Sequence, residues 1–304
     1  MTIRPQLSAT ALLFTLLPLA AQAQTPAPAP APAAVTLRYK FAPGEVIRYQ
    51  TTTDTDMIMP NVPGLPASQP TAYKSHTEMV DRETVKFVRA ADGAATLVGL
   101  VESLTSTMNG KPTHNAALTS IKQSAITTVI TPAGKLLSLK AGEGTSFATA
   151  PGFDMSKMGG TMPAALPDGP IKVGDTWDTV ADLSRIMPGS GGPGMQMTVH
   201  SALTALDTSA GKTIATISQT YNVPLDMKSP SSSPVAFTMT GDETGTDVWK
   251  FDVGAGAIIS SDMTMTMHTT SVFPKPAGGT GAGSGPVHMT MQMTAHMKRL
   301  PSQP

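Results

Sequence analysis

Methionine is the residue type that first suggests chemistry in this 304-residue chain, which carries 20 methionines and no cysteine. They concentrate in the runs Met263-Thr-Met265-Thr-Met267-His268 and His288-Met289-Thr-Met291-Gln-Met293, joined by Met195, Met197 and Met239. A thioether is apolar, polarizable and unbranched, so a row of them suits three tasks. It can fill a core, line a cavity that re-packs around hydrophobic ligands, or offer soft donors to Cu(I) where thiols are absent. Period-two spacing puts every sulfur of these runs on one face of a strand, and Thr, Gln and His on the other. His268, His288 and His296 therefore point away from the sulfurs. Same-face neighbours on a strand lie about 6.6 to 6.8 Å apart, so three sulfurs meet on one ion only with help from a neighbouring strand.

The two tryptophans, Trp177 and Trp249, each follow an aspartate by two positions. An indole buries enough area to anchor a core near a strand end, and can equally stack on a ligand in a groove. Trp177, Trp249 and Met195, Met197, Met239, Met263, Met265, Met267, Met289, Met291 and Met293 make up the candidate ligand-binding set.

Other chemistry is thin. Ser190 and Ser284 sit in Gly-rich loops without the G-x-S-x-G elbow of a serine hydrolase. His76 and Glu78 lie on an alternating charged run, KSHTEMVDRE, which reads as a solvated face. Asp54 and Asp56 share a face of a Thr-rich strand, but two carboxylates are too few oxygens for Ca²⁺. The loops GSGGPG and GGTGAGSGP lack the Lys-Ser/Thr of a phosphate cradle. No catalytic residue, metal site or cofactor is expected, and the chain reads as non-enzymatic.

The elements that must position the methionines are strands. Between breaks at residues 60–70, 142–170, 188–194, 229–234 and 274–286, Thr, Val, Ile and aromatic residues alternate with polar ones. Val35, Leu37, Tyr39 and Phe41 are expected on one strand face, and Trp249, Phe251 and Val253 on another. Asp92-Gly93, Asn109-Gly110, Ala133-Gly134, Ala210-Gly211 and Gly254-Ala-Gly256 mark turns. Residues 114–122 and 152–164 are the places where short helices could form. The class is all-β: a large curved antiparallel sheet or half-barrel.

Its layout suggests a duplicated β-meander. Gly44-Glu45-Val46-Ile47 recurs as Gly174-Asp175-Thr176-Trp177, Gly93 as Gly211, and Gly134-Lys-Leu136-Leu137-Ser138 as Gly256-Ala-Ile258-Ile259-Ser260, at offsets of about 120 to 130 residues. A single β domain over residues 35–304 is expected, with similar halves at about 35–140 and 166–300 and residues 142–165 crossing between them.

The first residues read as a targeting segment. Arg4, the apolar run ALLFTLLPLA and the small-x-small Ala21-Gln22-Ala23 predict a signal peptide over residues 1–23, cut after Ala23. That run is shorter than the about 20 residues a bilayer span needs, so no transmembrane segment is expected in the mature chain. Residues 24–34 form a Pro/Ala-rich spacer. The expected location is periplasmic or secreted. With 14% charged residues and zero formal net charge, the chain has no electrostatic attraction for nucleic acid.

The segment Leu166-Pro167-Asp168-Gly169-Pro170-Ile171-Lys172-Val173-Gly174-Asp175-Thr176-Trp177 resembles the LP-x-x-P-hydrophobic-x-hydrophobic-GDxW signature of an uncharacterised family of exported bacterial proteins. Lys40-Phe41-Ala42-Pro43-Gly44-Glu45 resembles the same family's first strand and turn. That family is similar to the curved sheets of lipoprotein carriers and related periplasmic lipid-binding proteins, which implies a lipid or other hydrophobic partner. This chain departs from those carriers in its methionine content and in its lack of the helices that cover their concave face. Three readings stand: a binder of a hydrophobic ligand, a structural or interaction module with a packed core, and a Met-rich Cu(I) binder.

Overall fold

The alternating segments form strands because β-branched and aromatic side chains favour a pleated, half-buried surface. The computed structural model describes residues 34–59, 71–113, 125–141, 165–182, 196–228, 238–272 and 286–301. The first half supplies β1 (Val46–Ile58), β2 (Ala72–Val88), β3 (Ala95–Met108), the two-residue β4 (Lys111–Pro112), β5 (Ile126–Ile130) and β6 (Leu136–Ala141). The second half supplies β7 (Thr176–Asp182), β8 (Gln196–Ser209), β9 (Lys212–Lys228), β10 (Thr238–Asp252), β11 (Ala257–Val272) and β12 (Val287–Arg299).

All twelve join one antiparallel sheet in the order β6-β5-β3-β2-β1-β12-β11-β10-β9-β8-β7, with β4 paired to β3. First and last strands thus meet mid-sheet, from Tyr49 opposite Arg299 to Ile58 opposite Thr290. The sheet ends at β6 and β7 and is not closed into a barrel.

Its curvature follows from one short segment. Val35 pairs with Ile171 just before β7, the Tyr39 amide donates to Pro132 in the β5–β6 turn at 2.8 Å, and the Lys40 amide donates to Gly256 in the β10–β11 turn at 3.0 Å. Four residues of extended chain reach only about 14 Å. In a flat sheet with strands about 4.8 Å apart, the β5–β6 turn and β7 would stand more than about 40 Å from each other. The sheet must therefore curl around residues 35–41, most tightly at the end that carries the short turns. Register shifts at Val85/Phe87, Val129/Ile130, Leu203/Ala205 and Lys250/Phe251 lie toward this same end, where bulges add twist and bend.

Residues 35–41 were expected to be a strand and are not one. Only Val35 forms a bridge, because the segment crosses strand ends and finds one backbone partner at a time. Leu37 is nevertheless fully buried, in a core with Leu166, Ile171, Leu203, Ile217, Trp249 and Phe251. A second cluster joins Ile47, Val85, Ala95 and Leu97, with Phe41 and Tyr49 against it. Tyr39 links the two, edge-on to Phe251 at 5.4 Å and stacked on Phe41 at 6.0 Å. This core closes the short-turn end like a floor.

Gly44 and Gly174, one of the expected glycine pairs, share a backbone pattern. The Gly44 amide donates to Val85 O at 2.8 Å and the Val85 amide donates to Glu45 O at 2.9 Å; Gly174, Asp175 and Leu203 repeat both bonds at 2.8 and 3.0 Å. Each glycine takes a left-handed φ, 83° and 95°, which L side chains rarely adopt. Each is followed by a carboxylate that caps the preceding loop, Glu45 on the Ala42 amide and Asp175 on the Lys172 amide. The hairpin turns Asn109-Gly110 and Ala210-Gly211 both have two consecutive positive φ angles, the two-residue type that matches strand twist. The signal peptide, most of the Pro/Ala spacer, residues 142–164 and both candidate helices lie outside the described residues.

Candidate functional site

Register and burial together place methionines of the described strands on a common face. Positions 57, 79, 265, 267, 291 and 293 share a face with the buried Ile47, Val85, Phe251 and Val287, the concave side on which residues 35–41 pack. Met197 on β8, Met239 on β10, Met263, Met265 and Met267 on β11, and Met289, Met291 and Met293 on β12 all fall on it, and all are half-buried. Met195 lies outside the described residues.

Pairing brings these side chains into rows across strands. Met57, Met291 and Met267 are successive partners on β1, β12 and β11, and Met293 faces Met265 in the next row. Met263 and Met297 continue toward the floor, where Met297 is opposite Ser261 and Thr51. No described methionine is part of the buried core, which is built from Leu, Ile, Val, Ala, Trp and Phe. The methionines thus line the concave wall above a floor of better-packing residues.

The tryptophans belong to that floor. Trp249 is buried among Leu37, Leu203 and Phe251, and Trp177 packs against the same cluster while its Nε1 donates to Ala165 O at 3.1 Å. Of the two roles open to them, the structure gives both the anchoring one, because the bulges and the crossing segment bury the ends of β7 and β10.

Polar side chains punctuate the wall. Tyr221 lies over Gly245, where an added Cβ would stand 2.3 Å from its ring, and its hydroxyl donates to Glu243 Oε1 at 3.1 Å. Asp247 accepts from Ser261 Oγ at 2.7 Å and from the Trp249 indole, yet burial pushes its carboxyl above the usual range. Gln219 Nε2 donates to the buried Ser201 at 2.9 Å.

Two acids within the KSHTEMVDRE run, Asp81 and Glu83, correct the reading of that run as a solvated face. Asp81 pairs with Tyr49 and Glu83 with the buried Ile47, so both enter the concave side near the floor. Loss of water raises Asp81 to about 6 and, with Asp81 as a like charge beside it, Glu83 to about 7. Burial raises Tyr39 and Tyr49 as well, and Arg299, bonded to Glu45 at 2.9 Å, is the cation beside Tyr49. The signal was available: Met79, Asp81, Glu83 and Val85 share parity. The even positions behave as expected and stay in water. His76 sits 2.7 Å from Asp54, whose hydrogen bond raises the imidazole, and Lys74 is 3.2 Å from Asp56.

The convex face is mostly polar, with Val46, Ile58, Val180, Val248 and Val272 exposed among the polar side chains. Thr264, His268, Gln292, Thr294, His296 and Lys298 are exposed. His200–Asp178 at 2.8 Å and His296–Asp262 at 2.6 Å repeat the cross-strand pairing seen at His76. Among the described residues no three His, Cys, Asp or Glu side chains gather as a metal site. No described helix is long and apolar enough to cross a membrane.

No family model and no curated protein matches this chain. Solved structures that it resembles include an engineered protein of asymmetric conductivity, with 9% identity, 84% of this chain and 100% of that one covered, and a TM-score of 0.25. A triple mutant of the Rh. blastica porin has 9% identity, the same coverage and a TM-score of 0.23. An outer-membrane channel from Pseudomonas putida F1 has 7% identity, 86% and 98% coverage, and a TM-score of 0.20. Likeness at this level decides nothing about this chain.

Proposed function

We propose that the protein is a non-enzymatic binder of a lipid or similar hydrophobic molecule, exported through its N-terminal leader and holding its ligand against the methionine wall. The observation that carries this reading is the separation of methionine from the core. A methionine that fills a core is buried with it, whereas every methionine of the wall keeps part of its surface exposed. Exposed apolar surface on one side of a sheet marks a binding surface, and flexible thioethers re-pack around varied ligand shapes. The packed floor supports the same reading, since it gathers the well-packed side chains at one end of the curl and leaves the methionines above it only partly buried. The competing interaction module requires a fully packed interior, which the partly buried wall disfavours.

Native mass spectrometry of protein purified from its host tests the proposal. A co-purifying lipid, or saturable uptake of a fluorescent fatty acid by the purified chain, is the expected result. A clean apo mass together with no uptake overturns it.

A further inference from the structure

Three thioethers from three adjacent strands stand side by side in the row Met57, Met291, Met267, and the geometry points to a Cu(I) site there. The register pairs Met57 with Met291 and Met291 with Met267, and all three are half-buried on the concave face. Directly paired residues hold their Cβ atoms about 4.5 to 5.5 Å apart, which puts the outer two about 10 Å from each other. Each sulfur lies two bonds beyond Cβ on a freely rotating stem, about 3 Å of reach; since the outer stems must also rise clear of the Met291 stem, their sulfurs approach to about 6 Å across a flat sheet. Two ligands of a trigonal ion with metal–sulfur bonds of about 2.3 Å stand about 4 Å apart. Concavity shortens the span further, because side chains on the inner side of a curl converge.

The position next in the row supplies the missing charge. Three thioethers are neutral, and Glu243 on β10 is the direct partner of Met267 on the same face, its carboxylate held by the Tyr221 hydroxyl at 3.1 Å. A negative group beside the ion offsets the charge the donors leave uncompensated. Soft sulfur without thiolate or imidazole selects Cu(I) over Zn²⁺, Ca²⁺ or Mg²⁺. The site lies on the wall to which the hydrophobic ligand is assigned, but it rests on coordination by particular sulfurs and not on apolar burial, so the two readings fail separately.

The test is anaerobic titration of Cu(I), kept reduced by ascorbate, into the mature chain against a chromophoric Cu(I) chelator. The wild type is expected to take one Cu(I) per chain. Affinity falls by about tenfold or more in Met291→Leu, and further in the triple variant M57L/M267L/M291L, as loss of ligands predicts. Met197→Leu, on the distant β8, keeps the wild-type affinity, and Glu243→Gln weakens binding several-fold while preserving the Tyr221 contact. Circular dichroism of the triple variant matches the wild type and reports an intact fold, and fatty-acid uptake by the wild-type chain tests the hydrophobic-ligand reading separately. A wild type that cannot compete with the chelator, or a triple variant that binds as the wild type does, overturns the copper site and leaves the hydrophobic-ligand reading standing.

Discussion

Glu83 is the residue at which the curled sheet makes its sharpest quantitative demand. Its carboxyl is buried beside Asp81, Tyr49 and Tyr39, and is raised from 4.5 to about 7 by loss of water first and by the Asp81 charge second. The folded state therefore holds a proton that the unfolded chain releases. Stability from this group is complete below pH 4.5, declines as pH rises and is gone above about 7. At about 1.4 kcal/mol per pH unit, the loss is about 3 kcal/mol. Asp81, raised to about 6, acts in the same direction over a lower window, and its partial exposure makes its share smaller. Glu83→Gln copies the protonated side chain and removes the penalty. Urea unfolding at pH 5 and pH 8 is the assay. The wild type should lose about 3 kcal/mol or more over that interval and the variant distinctly less, so that the variant is the more stable protein at pH 8 and about equal at pH 5. A wild type whose unfolding midpoint does not move between these pH values, or a variant less stable at pH 8, refutes the burial of these acids and with it the floor.

Phe251→Ala should destabilise by about 3 to 5 kcal/mol in urea unfolding, because Phe251 is the largest fully buried side chain and Tyr39 rests edge-on against it. Ala210 occupies a left-handed position, φ 50°, in the β8–β9 hairpin, where Asn109 does the same work at the equivalent place in the β3–β4 turn. Ala210→Asn should raise stability by about 0.5 to 1 kcal/mol, and no gain in the thermal midpoint would contradict the turn geometry. Mild peroxide should convert wall methionines such as Met265, Met267 and Met291 to sulfoxides, read by mass, while far-ultraviolet circular dichroism stays unchanged because the described core holds no methionine. Global unfolding at partial oxidation would put the thioethers back in the core.

What the residues reveal in advance is whatever repeats locally. Alternation marks the strands, Gly44 and Gly174 mark twin strand starts, and the odd numbering of Met263 to Met267 and Met289 to Met293 assigns them one face before any pairing is known. What stays hidden is whatever depends on a distant partner. The pairing of β1 with β12 makes the row Met57, Met291, Met267, and nothing around Met57 announces it. Residues 35–41 alternate as a strand would, yet their amides bond to Ile171, Pro132 and Gly256, which meet only when the sheet curls. Charge misled at Asp81 and Glu83, where a run of ionisable residues suggests water while parity with Met79 and Val85 places them inside.

The polarity of the two faces bears on what an exposed apolar wall is for. Long antiparallel strands can serve a membrane by turning apolar side chains outward to lipid, with polar ones lining the interior. Here the outward face carries Asp54, Asp56, Lys74, Asp178, His200, Asp262, His296 and Lys298, several in ion pairs exposed to solvent. Charged side chains on a lipid-facing surface are destabilising, by up to about 2 to 4 kcal/mol for a Lys or Arg at the bilayer midplane and less for Asp, so these residues oppose insertion of the outward face. The methionines and the buried core lie on the inward face, which also holds Asp81, Glu83, Glu243 and Asp247. A charged back and an inward row of methionines are the arrangement the proposed binder needs.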